Sequence, residues 1–314
     1  MRITNSMIAH NFLTNLNGNM NRLDKYQYQL ATNRRITKLS DDPVGVVKSM
    51  EARVKLYRLE QYQKNLDSAE TWLTQAETSL MELNSIVTHA YESTVQAASD
   101  LNNASDRKAL SELIGQLREH IVGLANSKMG ESYIFGGFNT GKKPFEADPA
   151  AGTITYNGLD MRTLLPTDPD YIAEQEQIVQ VEIGYGVRTD MTITGIDFLG
   201  VGEENIYGIM SDLYDLLAGS GTADEISAQI TKLQDAQSTT LAHVAEIGGR
   251  LSRIELVQSR YEDDYLNYTE TKSKIEDADM AETIMNYKMA ESVYLAALQA
   301  GAQIIQPNLL SYLR

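Results

Sequence analysis

Residues 59–101 read LEQYQKNLDSAETWLTQAETSLMELNSIVTHAYESTVQAASDL. Within them Leu59, Tyr62, Leu66, Ala69, Leu73, Ala76, Leu80, Leu83, Val87, Ala90, Thr94, Ala97 and Leu101 recur in alternating steps of three and four. That period places all thirteen on one seam of a coiled-coil type helix. Extended back to Val44, the helix would run about 58 residues, or roughly 87 Å at ~1.5 Å per residue. An average globular helix has about three turns, so the length of the seam is its informative feature.

On the N-terminal side, Leu13, Leu16, Met20, Leu23 and Leu30 mark a shorter amphipathic helix. Ser40-Asp41-Asp42-Pro43 then ends one helix and starts the next. Ser40, Asp41 or Asp42 can supply the N-cap acceptor, Pro43 suits the first helical position, and the acidic pair complements the helix dipole. After Asn102-Asn103-Ala104-Ser105-Asp106, a third helix is predicted from about Arg107 to Lys128, with Leu110, Ile114, Leu117, Ile121 and Leu124 on one face.

Helix breakers concentrate in one stretch. Twelve of the 21 glycines lie between Gly130 and Gly208, with four of the six prolines (Pro144, Pro149, Pro166, Pro169). Here Gly152-Thr-Ile-Thr-Tyr-Asn-Gly158 alternates and ends on a hairpin-forming Asn157-Gly158 pair. Gln177 to Gly184 and Asp190 to Gly195 also alternate, which predicts two more strands. Helices are expected again from Ile206 and from about Ala223. Beyond Gly248-Gly249, a long helix is expected to carry Leu251, Ile254, Val257, Tyr261 and onward to Ala300, until Pro307 stops it. The fold class is thus mainly α with a β insert. Long N- and C-terminal helices pack as a coiled coil or bundle into an elongated rod, and the small central β domain interrupts them.

The chain has 314 residues and a formal net charge of −16, which argues against nucleic acid or an anionic membrane surface as partner. Residues 1–58 are nevertheless +6 and residues 255–291 are −6, a bias that favours the two ends lying together. Cysteine is absent, excluding disulfides and thiolate chemistry. No apolar run is long enough to span a bilayer, and the N-terminus lacks the apolar core of a cleaved secretory signal.

No catalytic or metal motif assembles. His10, His89, His120 and His243 show no paired ligand spacing. Gly130-Glu-Ser132 lacks the closing glycine of a nucleophile elbow, and Asp168-Pro-Asp170 lacks the rest of a calcium loop. Asp263-Asp264 and Glu276-Asp277-Ala278-Asp279 are expected to be solvated helix faces. The expectation is a protein that is no enzyme and holds no cofactor or metal.

Several motifs carry a resemblance. Met1-Arg2-Ile3-Thr4-Asn5-Ser6-Met7, Gln29-Leu30-Ala31-Thr32-Asn33-Arg34-Arg35-Ile36 and Ser40-Asp41-Asp42-Pro43 resemble the N-terminal region of the flagellin superfamily. Pro43 followed by Val44-Gly45-Val46-Val47 is closer to its hook-associated protein 3 (junction) branch than to filament flagellins. Leu124-Ala125-Asn126, Tyr133-Ile134-Phe135-Gly136-Gly137, Lys143-Pro144-Phe145, Glu246-Ile247-Gly248-Gly249-Arg250-Leu251, Ile275 to Glu282 and Gln306 to Leu313 match in order. Asn33 stands where the family usually has glycine; asparagine adopts a left-handed turn second best.

The resemblance implies a structural subunit of the bacterial flagellum, at the hook–filament junction on which flagellin polymerises. Its partners would be further copies of itself in a junction ring, hook-associated protein 1, flagellin and a flagellar export chaperone. It would be extracellular, exported unfolded by the flagellar type III route without a cleaved signal. A filament flagellin is the alternative, and a secreted enzyme carried in the insert is a third reading, disfavoured because the insert holds no histidine. Residues 1–40 with 275–314 would form a terminal coiled-coil assembly region, 41–130 with 203–274 a helical rod, and 131–202 the exposed β domain. The expected assembly interface comprises Leu13, Leu16, Met20, Leu23, Leu30, Asp41, Asp42, Pro43, Met285, Met289, Val293, Ala296, Ala300, Ile304, Leu309 and Leu310. Both terminal regions are expected to fray in the free subunit, and small residues such as Ala290, Ala297 and Gly301 to let neighbours approach.

Overall fold

The structure, a computed structural model, describes residues 5–98, 104–219 and 221–304, with backbone only for residues 5, 6, 104, 303 and 304. The chain forms two compact units, Met1–Leu59 with Glu262–Arg314, and Glu60–Tyr261. Helix α1 (Asn5–Thr32) is followed by α2 (Pro43–Ala97), which begins on Pro43 as expected. Asp42 is the cap chosen among the three candidates: its Oδ1 accepts from Gly45 N at 2.8 Å.

In the Glu60–Tyr261 unit the heptad seam is buried. Leu66, Ala69, Leu73, Ala76, Leu80, Leu83, Val87, Ala90, Thr94 and Ala97 have no accessible surface. Thr94, the polar member, donates its hydroxyl to Ala90 O at 2.6 Å, so its burial leaves no unsatisfied hydroxyl. Helix α3 (Ala104–Ala125) buries Ile114 and Ile121, and its His120 reaches Glu82 of α2. After the β region, α6 (Ile206–Ala218) and α7 (Ala223–Glu276) complete the helical core. Gln237 donates to Thr88 and Gln258 to Asp67 and Glu70, so α2 and α7 run antiparallel in this unit.

Two helix boundaries differ from expectation. Helix α7 passes unbroken through Gly248-Gly249, because Ile247 and Ile254 are buried on its inner face and packing outweighs the ~1 kcal/mol cost of each glycine. The break falls instead at Asp277-Ala278-Asp279, before α8 (Met280–Ile304). Asp279 Oδ1 accepts from Ala281 N and Glu282 N at 2.9 and 3.2 Å and so caps α8. Pro307 lies outside the described residues.

The β region holds three small antiparallel sheets. They are β1 (Lys128–Met129) with β2 (Ser132–Tyr133), then β3 (Phe145–Asp148), β4 (Thr153–Tyr156) and β5 (Leu159–Asp160), and β6 (Gln180–Gly184) with β7 (Val187–Asp190). Asn157 and Gly158, at φ 51° and 91°, make the two-residue turn between β4 and β5. Two short helices also occur here, α4 (Pro169–Gln175) and α5 (Gly195–Leu199). The strand expected from Asp190 to Gly195 ends where it was to begin. Thr194 Oγ1 accepts from Asp197 N, capping α5 while Ile196, Phe198 and Leu199 are buried.

The sheets close on an aromatic core. Phe135 stacks on Phe198 with centroids 4.1 Å apart, and Phe145 lies 5.0 Å from Tyr156. Tyr156 donates its hydroxyl to Phe135 O at 3.1 Å, and burial pushes that phenol up to about 12. Asn126, just beyond α3, pairs reciprocally with the Phe145 backbone at 3.1 Å, fixing β3 to the helices.

Candidate assembly interface

Helices α1 and α8 pair antiparallel within the unit of the two chain ends. Phe12, Leu16, Asn19, Leu23, Tyr26 and Leu30 step three and four along α1 and are half-buried. Facing them are Tyr287, Ala290, Tyr294 and Ala297, with Gly301 against the Phe12 ring. A Cβ on Gly301 would collide with that ring, so the small residue sets the approach of the helices.

This pairing divides the apolar face expected from sequence. Leu16, Leu23 and Leu30 turn toward α8, while Leu13 and Met20, each one position off the seam, are more than half exposed. On α8, Met285 and Met289 are likewise more than half exposed, Val293 only slightly less so, and Ala296 and Ala300 are exposed. The side chain of Ile304, and Leu309 and Leu310, lie outside the described residues. Among the described residues no apolar side chain of α1 or α8 is buried. The helix pair has no closed core of its own.

The polar positions do different work. Asp41 closes the loop before α2, where its Oδ2 accepts from Lys38 N, Thr37 Oγ1 and Thr37 N at 3.0, 3.0 and 3.2 Å. Lys25 approaches its other oxygen at 3.2 Å. The Lys38 amide foremost, with Lys25 and Thr37, holds this carboxyl down at about 2.

A clasp missing from the sequence reading joins this loop to the α7–α8 break. Arg53 grips Glu276 bidentately, Nε to Oε1 at 2.8 Å and Nη2 to Oε2 at 2.7 Å, and Ser49 donates to the same carboxylate. Arg35 N donates to Glu276 O at 2.7 Å, Arg35 Nη2 to Ile275 O at 2.8 Å, and Ala278 N to Asn33 O at 3.1 Å. Asn33 sits at φ 55°, the left-handed turn that its family position implied. The Glu276–Asp279 cluster, expected as a solvated face, is therefore corrected: Glu276 is buried and Asp279 is a cap. Hydrogen bonding to Arg53, above all, pulls the Glu276 carboxyl below its ordinary value. The opposed charges of the two ends were the only signal of this pairing in the sequence.

Among the described residues, no three His, Asp or Glu side chains come together as a metal site, and no helix is long and apolar enough to cross a membrane. A chain whose two ends pair through a polar clasp and leave apolar stripes outside is a subunit built for assembly. The family described as the bacterial flagellin N-terminal helical region matches residues 3–140. Flagellar hook-associated protein 3 of Salmonella typhimurium is 25% identical over 313 residues, 96% of this chain and 95% of its own. A Bacillus subtilis flagellin is 25% identical over 330 residues, 100% of both chains. The solved flagellar junction protein FlgL of Legionella pneumophila shares the fold with a TM-score of 0.57, at 14% identity, over 74% of this chain and 100% of that one. Residues 3–140 thus resemble the flagellin N-terminal region, and the chain is a structural component of the flagellum. Over its whole length it is similar both to hook-associated protein 3 and to flagellins, and its fold is that of the solved junction protein.

Proposed function

We propose that this subunit forms the extracellular hook–filament junction, with α1 and α8 packing against neighbouring copies. The observation that carries the reading is the distribution of burial. The seam of α2 from Leu66 to Ala97 is fully covered, whereas among the described residues α1 and α8 bury no apolar side chain and expose Leu13, Met20, Met285, Met289 and Val293. Leaving such a stripe in water forgoes ~25 cal/mol per Å² of apolar surface that contact with a neighbour would recover. Asp41, Asp42, Pro43 and the Glu276 clasp hold the connections that present the two helices. Ile304, Leu309 and Leu310 continue the same apolar character toward the C-terminus.

In this reading the subunit contacts itself in a ring, hook-associated protein 1 on one side and flagellin on the other. It crosses the flagellar export apparatus unfolded, with a dedicated chaperone and no cleaved signal. Deleting the chain is expected to leave hooks intact while flagellin escapes as monomers, because nothing nucleates the filament. Normal filaments on such a strain, with no paralogue present, would refute the reading. The filament-flagellin alternative is the less favoured reading, supported by the full-length Bacillus subtilis match. It predicts that the deletion strain secretes no other flagellin and that this chain is the bulk protein of sheared filaments.

A further inference from the structure

The N-terminal part of α2 has two faces. Gly45, Ser49, Ala52, Leu56 and Leu59 are buried, at steps of four and three. At roughly 180° around the helix from that seam, by ~100° per residue, stand Val44, Val47, Met50, Val54 and Tyr57, each at least half exposed. Five large apolar side chains in helical register on one outer face are more than isolated surface exposure. Lys48, Lys55 and Arg58 flank them, with Glu51 the only acid on this stretch. Lys55 already lies over the Tyr268 ring, 5.0 Å from its centroid. Among the described residues Lys48 and Arg58 have no ion-pair partner.

The start of the α7 segment in the same unit is its complement. Residues 262–270 contain Glu262, Asp263, Asp264 and Glu270 and no basic residue. Leu266 is 66% exposed at the centre of the outer face, with Glu262 and Glu270 one turn to either side and Asp263 beside it. Glu270 is partnered by Lys274, while among the described residues Glu262 and Asp263 have no ion pair.

We propose that the outer stripe of α2, centred on Val54, docks on the outer face of α7, centred on Leu266, of a second copy of the chain. This rests on the assembly reading above and adds a second, charge-coded contact to it. A stripe-to-stripe contact between two α2 helices would set Lys48 and Arg58 against their own kind, and an α7-to-α7 contact would oppose carboxylates. Only the crossed pairing joins unlike charges around an apolar centre. The two patches differ, so the contact is heterologous: a pair of copies keeps one patch of each kind free, and repetition builds a ring or a helix.

The absence of cysteine makes disulfide trapping a clean test. One tagged copy carries Val54→Cys, a differently tagged copy carries Leu266→Cys, and both are co-expressed in the flagellated host. Mild oxidation of isolated flagella should give a disulfide-linked dimer carrying both tags. Lys48→Glu with Arg58→Glu on the first copy should cut its yield at least tenfold, and Glu262→Lys with Asp263→Lys on the second should restore it. The inference is overturned if both copies enter flagella and no mixed dimer forms, if only like-with-like dimers form, or if charge reversal changes nothing. If the unmodified chain is missing from flagella, the junction reading itself falls, and this contact with it.

Discussion

At Asn33 the backbone enters the left-handed region (φ 55°) and its carbonyl accepts from Ala278. A β-branched residue there is strained by roughly 1–2 kcal/mol. Asn33→Val should therefore destabilise the unit of the chain ends by about that amount, while Asn33→Gly should be near neutral; hydrogen exchange around Ala278 separates the two. The clasp carboxylates give a pH signature. Asp41 and Glu276 both have folded pKa values below their unfolded ones, so the unfolded chain binds more protons in acid. Their contribution is complete above the unfolded values of 3.8 and 4.5 and is lost as pH falls, for Asp41 through about 2. Exchange protection of the amides of residues 275–279 should drop on acidification from pH 5 toward 2, a range set by those shifts, and Glu276→Gln should flatten much of that dependence. An unchanged slope in the variant would show that Glu276 does not carry it.

Among the elements, the seam of α2 divides into positions of very different weight. Leu73 is fully buried, and Leu73→Ala should cost ~2–5 kcal/mol, seen as an earlier loss of the fluorescence of Trp72 next to it in sequence. Leu13 on α1 is exposed, and Leu13→Ala should leave the free chain's melting within about 0.5 kcal/mol. This contrast also marks what the sequence could disclose. The step of three and four from Leu59 onward predicted α2 and its buried face from Leu66 to Ala97, since a covered seam needs only a periodic pattern; Tyr62 is half-buried and Leu101 lies outside the described residues. The same period on α1 did not reveal that Leu13 and Met20 stand off the seam, because Phe12, Asn19 and Tyr26 complete it with mixed chemistry. Gly248-Gly249 suggested a break that burial of Ile247 and Ile254 overrides. Glu276 stayed hidden because its partner Arg53 lies 223 residues earlier, a separation that no local pattern encodes.

For the whole molecule the decisive quantity is how unevenly burial is shared. The Glu60–Tyr261 unit closes on the α2 seam and on the Phe135, Phe145, Tyr156 and Phe198 cluster. The α1–α8 pair has half-buried contacts and polar seam residues, and isolated helix pairs of this kind are marginal in water. In the free subunit, amides of α1 and α8 should therefore exchange orders of magnitude faster than those of α2 around Leu80. In isolated flagella they should become protected, since in the proposed assembly neighbouring copies cover Leu13, Met20, Met285, Met289 and Val293. Ala300 lies on the exposed side of α8, so Ala300→Glu should leave the monomer's melting nearly unchanged. The same substitution should block assembly, since a carboxylate buried by a neighbour costs several kcal/mol. Strong protection of α1 and α8 in dilute monomer, or normal incorporation of the Ala300→Glu chain, would mean that these faces do not wait for a neighbour.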